Sequence, residues 1–178
     1  MSAKRQEMPV GQLHVNVFSF VNDRLLLGTG AYRPDAAVLP LPYNAMTLSW
    51  GMMGTVWNKP MVQVLVRPQR HTWSMLADSD SFTLGVLPPA NREAHTVFGA
   101  VSGRDQDKFA AAGIHAEASR LVAAPSFAEA SLMIECRIAY RDRLKPDGFV
   151  APYIAGHYHD DWHWLYWGEV LGVFGKLD

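Results

Sequence analysis

Side chains suited to a flat heteroaromatic ligand and to a phosphate fall close together in one stretch of this chain. Asn44, Thr47 and Ser49 set an amide and two hydroxyls along a short segment. Such groups can pair with the carbonyl and N–H positions at the polar edge of a ring. Lys59, Arg67 and Arg70 follow, and then the hydroxyl of Thr72. Charge-assisted donors beside a hydroxyl, near a possible helix start, are what a phosphomonoester needs. The same spacing is equally compatible with Thr47 and Ser49 facing solvent and with arginines that solubilise a turn.

A second group lies in Gly156-His157-Tyr158-His159-Asp160-Asp161-Trp162-His163. His-x-His can offer two imidazoles to a metal from one side of a strand. Histidines in an aromatic-rich turn serve more often as hydrogen-bonded filling, and no bound metal is expected. Cys136 is the single cysteine, which excludes an intramolecular disulfide framework and a Cys-rich metal site. It reads as a small buried hydrophobe rather than a reactive thiol. Glu135 and Arg137 read as solvated, and Glu169 as half of a structural ion pair. No Ser/His/Asp nucleophile signature is present.

The elements that must position these residues are mostly short strands. Leu13–Phe20 and Arg24–Gly30 are strand candidates joined by a turn at Val21-Asn22-Asp23. Residues 31–43 carry Pro34, Pro40 and Pro42 and cannot stay regular for long. Ala45–Gly51 alternates, with Met46, Leu48 and Trp50 on one side and Thr47 and Ser49 on the other. Met61–Val66 is apolar, valine-rich and bounded by prolines, as a buried strand is. Helices are expected over Thr72–Asp78 with Thr72 as cap, over Asn91–Val101 with Asn91 as cap, and over Asp105–Ala112, stopped by Gly113. Phe82–Leu87, Leu132–Tyr140 and Trp164–Phe174 complete the strands, with Gly168 and Gly172 as bulge candidates. This pattern implies a mainly β, Greek-key barrel with a few short helices. It lacks the strand–helix alternation of a doubly wound sheet. Gly28-Thr29-Gly30 does not complete a dinucleotide fingerprint, because Arg33 stands where the third glycine belongs.

Composition bounds the function classes. The chain has 178 residues, 49% hydrophobic and 19% charged, enough apolar material for one domain with a real core. Sixteen Lys and Arg against 17 Asp and Glu leave a net charge of −1, which argues against nucleic-acid binding. No apolar run approaches the roughly 18–20 residues of a spanning helix, so no membrane partner is expected. The polar N-terminus carries no secretory h-region, and a cytoplasmic location is expected. Residues 1–12 read as a flexible arm and 13–178 as a single domain.

The segment Asn44-Ala45-Met46-Thr47-Leu48-Ser49-Trp50-Gly51 resembles the flavin reductase-like family, the flavoredoxin-like FMN-binding split barrels. The resemblance continues in Trp57-Asn58-Lys59-Pro60, in Val66-Arg67-Pro68-Gln69-Arg70-His71-Thr72 and in Phe82-Thr83-Leu84. Ser102-Gly103-Arg104-Asp105-Gln106-Asp107-Lys108-Phe109, Ile134-Glu135-Cys136-Arg137, His163 and Trp167-Gly168-Glu169-Val170 follow in the family's order. The blocks span residues 13–174.

The resemblance implies a split barrel with non-covalent FMN at a homodimer interface. It implies Asn44, Ala45, Met46, Thr47, Ser49, Trp50 and Gly51 along the isoalloxazine. Arg67, Arg70 and Thr72 would lie at the ribityl-phosphate end, with Lys59, Ser102 and Lys108 as further candidates. His159 and His163 are candidates for shaping a nicotinamide or acceptor pocket. The function it implies is an NAD(P)H-dependent flavin reductase passing electrons from NADH or NADPH to a small-molecule or protein acceptor. An FMN-holding carrier without nicotinamide binding, or a non-enzymatic flavin-binding module, is the alternative.

Overall fold

The computed structural model describes residues 5–14 and 25–175. The strand β1 is Gln6–Met8, followed by β2 Leu25–Gly30, β3 Tyr43–Leu48, β4 Gly51–Val56, β5 Lys59–Val66 and β6 Ser81–Val86. The short β7 Ala116–Glu117 and β8 Ser126–Phe127 pair with each other, and the long β9 Leu132–Arg143 and β10 Trp164–Gly175 close the series. Three short α-helices, α1 His71–Asp78, α2 Ala94–Ala100 and α3 Lys108–Ala112, are set between strands. Among the described residues, no helix is long and apolar enough to cross a membrane.

The main sheet runs β3-β2-β6-β9-β10-β5-β4, with every neighbouring pair antiparallel. Its two edge strands, β3 and β4, are separated in the chain only by Ser49 and Trp50. Three Cα steps span at most about 11 Å, so the sheet must curl until its edges approach. This geometry is consistent with the expected split barrel.

Alternation decides what fills it. Leu25, Leu27, Val62, Val64, Val66, Phe82, Ile134, Cys136, Tyr166 and Val170 pack together as one core. Residues of opposite parity, among them Leu26, Ala45 and Met133, pack with Phe98, Phe109 and Phe127 in a second layer that includes α2 and α3. Cys136 is fully buried in the first core, and burial pushes its thiol well above the usual range. Gly168 and Gly172 fall at two register shifts between β9 and β10, as the bulge expectation holds.

Several expectations are corrected. Part of the supposed flexible arm is ordered: β1 pairs with the end of β10, where β5 no longer covers the edge. Arg5 anchors it by donating to the carbonyls of Phe127 and Ala130, each at 2.8 Å. The strand expected over Leu13–Phe20 falls mainly on residues outside those described. Glu135 is 1% exposed rather than solvated, because its carboxylate accepts from the backbone N–H groups of Arg120 and Leu121 at 3.0 and 2.7 Å. Thr72 and Asn91 cap nothing; Arg70 precedes α1 and Glu93 precedes α2, neither with a side-chain cap. Asp107 does cap α3, and Gly113 ends it at φ 62.

A Cβ on Gly168 would lie 2.5 Å from the Phe82 ring and 2.7 Å from Cys136 Cβ. Gly168→Ala is therefore expected to destabilise the fold by about 1–3 kcal/mol. Urea unfolding checks this, and an unchanged midpoint would refute the packing account.

Candidate functional site

Six of the expected ligand residues converge on one cleft: Asn44 and Met46 from β3, Arg70 and Thr72 at the start of α1, Ser102 from the loop after α2, and Lys108 from α3. The cleft has a volume of about 120 Å³. Pockets enclosing a whole drug-sized ligand run to roughly 300–1,000 Å³, so this one accommodates an end of such a molecule.

Local structure explains its walls. Asn44 Nδ2 donates to Thr72 Oγ1 at 3.0 Å, tying β3 to α1 in the interior. Gly103 lies so close that a Cβ there would meet Asn44 Oδ1 at 2.5 Å. Only glycine lets the loop backbone close the cleft on that side. α1 begins at the cleft with no side-chain cap, so its first backbone N–H groups offer a positive pole there.

The cations are held by the other helix. Lys108 is 4% exposed, and its Nζ donates to the carbonyls of Ala45 at 2.7 Å and Phe98 at 2.9 Å. Arg70 Nη1 donates to the Gly99 carbonyl at 3.0 Å. Two basic side chains thus satisfy carbonyls in the last turn of α2, the negative end of that helix. Burial, and then Arg70, lower the Lys108 pKa to about 8. Arg104 adds a further guanidinium to the lining.

The structure distributes the remaining candidates elsewhere. Ala45 contributes its carbonyl to Lys108 and buries its methyl group in the second core layer. Thr47 points toward α2 and donates to the His95 carbonyl at 2.6 Å. Ser49 is half-buried between β3 and β4, and Gly51 starts β4 opposite Val64. Lys59 pairs with Glu169 at 3.4 Å beside the β4–β5 hairpin, and Arg137 holds the same carboxylate at 2.7 Å. The structural role expected of Glu169 is therefore observed. Arg67 is not in the cleft: its guanidinium pairs with Asp161 and donates to the His157 carbonyl at 2.8 Å.

Arg67 belongs to an aromatic corner beside the β3–β4 junction. Trp50 packs on His163 at 4.7 Å between centroids and edge-on to His157 at 5.8 Å. His163 shares a 3.1 Å hydrogen bond with the Tyr158 hydroxyl, and Tyr158 packs on Trp162 at 4.5 Å. Asp161 accepts from the His159 backbone N–H and the Gln69 amide, each at 3.0 Å; these bonds and Arg67 hold its carboxyl well below the usual range. Gln69 also lines the cleft, so this corner is braced against the chain leading into α1. His159 is exposed. No group of three His, Cys, Asp or Glu is placed to hold a metal among the described residues.

Sequence reasoning did not single out Gln69, His71, Gly103 or Arg104 as cleft residues. Their signal was adjacency to Arg70, Thr72 and Ser102 within the same motifs.

His163 is 6% exposed, and burial, followed by Arg67, lowers its pKa to about 4. An unfolded chain binds the imidazole proton below about pH 6.5, whereas the folded protein resists it until about pH 4. Stability should fall as pH drops through that window, by up to about 3 kcal/mol. Urea unfolding at pH 7 and pH 4.5 is expected to show a smaller loss for His163→Phe than for the unaltered protein. Equal losses would remove His163 as the cause.

The family model described as flavin reductase like domain matches residues 28–177. No curated protein matches the chain in sequence. Flavoredoxin of Desulfovibrio vulgaris (Miyazaki F) is similar in structure, with 19% identity, a TM-score of 0.65, and coverage of 97% of this chain and 77% of that one. The FMN-binding domain of a flavin reductases-like enzyme from Shewanella baltica OS155 gives 16% identity, a TM-score of 0.67, and coverage of 99% and 79%. The NADH:FAD oxidoreductase of Streptomyces globisporus C-1027, solved in complex with NAD and FAD fragments, gives 17%, 0.58, and coverage of 85% and 73%. At these identities the structural likeness speaks for the fold, and the matched family model spans most of the sequence. The chain belongs to the flavin reductase like domain family.

Proposed function

We propose that this chain binds FMN non-covalently and acts as an NAD(P)H-dependent flavin reductase of the flavoredoxin-like type. The observation carrying this reading is the cleft itself. Arg70, Arg104 and Lys108 gather there with the uncapped start of α1, and among the described residues no acidic side chain lines it. That donor set suits the terminal phosphate of a mononucleotide. His71 Nε2, buried beside these cations without a hydrogen-bond partner among the described residues, is a further sign of a polar ligand.

In this reading Arg70 supplies a guanidinium fork, Lys108 its remaining N–H, and α1 its first amides. Thr72 and Asn44 keep the cleft wall rigid through their mutual bond. The ring end falls to Met46, Ser49, Trp50 and Gly51. The chemistry that FMN would supply in this cleft is two-electron exchange, with NADH or NADPH as donor and a small molecule or protein as acceptor. The chain's own residues bind, orient and shield. His163 braces the corner behind Trp50, where burial keeps it neutral, and it is not assigned a proton-transfer role. A cleft of about 120 Å³ leaves most of an FMN molecule outside it. In a homodimer with flavin at the interface, a second copy of the chain would cover that remainder.

The visible spectrum of the protein after mixing with FMN and desalting tests the reading. Retained flavin that bleaches under anaerobic NADH or NADPH is expected. Failure to retain or bind FMN would sink the flavin assignment, and retained flavin that neither nucleotide bleaches would mark a carrier reduced by another protein. Arg70→Ala is expected to weaken FMN binding about tenfold or more, as loss of a charge-assisted bond does. Lys108 is charged below about pH 8 and neutral above it. FMN affinity should therefore fall severalfold from pH 7 to pH 9, while riboflavin affinity stays level; fluorescence titration of both ligands checks this.

A further inference from the structure

His71 opens α1 and lines the cleft between Arg70 and Thr72. Its ring has two nitrogens with different fates. Nδ1 lies 3.5 Å from Ser74 Oγ, while that hydroxyl donates its own proton to the His71 carbonyl at 2.8 Å. At 3.5 Å that contact is longer than an ordinary N–H···O bond, so Nδ1 has no strong claim on the proton of the neutral ring. Nε2 is buried and has no hydrogen-bond partner among the described residues. The loop holds the ring in place: a Cβ on Gly103 would sit 3.4 Å from His71 Cδ2.

The charged groups around this ring are Arg104 and Asp105 from the loop after α2, Lys108 from α3, and Arg70 immediately before it. Burial lowers the His71 pKa most, Arg104 and Lys108 lower it further, and Asp105 opposes them. The free imidazole is thus neutral near pH 7. A phosphomonoester near pH 7 is mostly a dianion, whose second pKa is about 6. Its oxygens only accept hydrogen bonds, so they favour an imidazole that carries a proton on Nε2. Placed beside the ring, a dianion favours the imidazolium, which donates from Nε2 and takes its second proton from solvent.

We infer that His71 is a positioning residue for the phosphate end of the flavin, and that binding traps one proton between its Nε2 and a phosphate oxygen. This rests on the flavin reading above. The proton comes from water, and no other bond forms or breaks. The cleft thereby distinguishes a phosphomonoester from a ligand without one, and couples affinity to pH through a residue of this chain.

Calorimetric titration at pH 7 in two non-phosphate buffers of different ionisation enthalpy, with FMN and with riboflavin, tests the inference. Lys108 is mostly charged at that pH and adds little uptake of its own. Uptake of about one proton per FMN is expected, with none for riboflavin. His71→Gln should abolish most of that uptake while keeping much of the affinity, because its amide can donate directly. His71→Ala should weaken FMN about tenfold and riboflavin less than twofold; retained riboflavin binding certifies the fold. FMN binding without proton uptake, uptake unchanged in His71→Gln, or equal losses for both ligands in His71→Ala would overturn the inference alone. Failure of the unaltered protein to bind either ligand would overturn the flavin reading and this inference together.

Discussion

Ser49 and Trp50 are all that separate β3 from β4, and those strands stand at opposite edges of the sheet. A link that short cannot bridge a flat sheet of this width, because neighbouring strands lie about 4.8 Å apart. The sheet must curl, and the curl decides the rest. It turns Leu25, Val62, Phe82 and Cys136 inward onto one another. It leaves the opposite face of β2 and β3 to be covered by α2 and α3. It also sets two environments along β3 and the link that follows it: the basic cleft beside Asn44 and Met46, and the aromatic corner where Trp50 meets His163.

The cleft gains its charge from a packing problem. The carbonyls in the last turn of α2 need donors, and Lys108 and Arg70 supply them. A buried ammonium is costly unless it is hydrogen-bonded, and two carbonyls within 3 Å meet that need. The side chains that complete α2 are therefore fixed before any ligand arrives. Preorganisation of this kind lowers the ordering cost of binding an anion. The incompletely satisfied groups at the same place, the first amides of α1 and Nε2 of His71, are the ones a ligand would meet.

Periodicity made most of the sheet legible. The Leu132–Tyr140 part of β9 alternates cleanly, and both glycine bulge candidates in β10 stood out from the sequence. β4 was missed: Gly51 and Gly54 dilute any strand signal in Gly-Met-Met-Gly-Thr-Val, and pairing with β5 stabilises it instead. Trp57 and Asn58 form the two-residue hairpin tip, both with positive φ, a conformation that composition rarely reveals at a tryptophan. Glu135 resembled a solvated residue, since nothing local predicts that two backbone amides from Arg120 and Leu121 fold over it.

The sequence by itself determined most of the long strands, the three short helices and the family, because alternation, proline placement and motif order are local properties of the chain. Only the tertiary structure decided which polar residues share a site. Arg67 and Arg70 are three positions apart, yet one pairs with Asp161 and the other with the end of α2. Asn44 and Thr47 lie on the same strand, yet opposite parity sends the amide to the cleft and the hydroxyl to His95. Lys108 reaches β3 across 63 positions of sequence. Direction and partner for these side chains depend on contacts made through closure of the sheet, and a linear spacing carries no record of them.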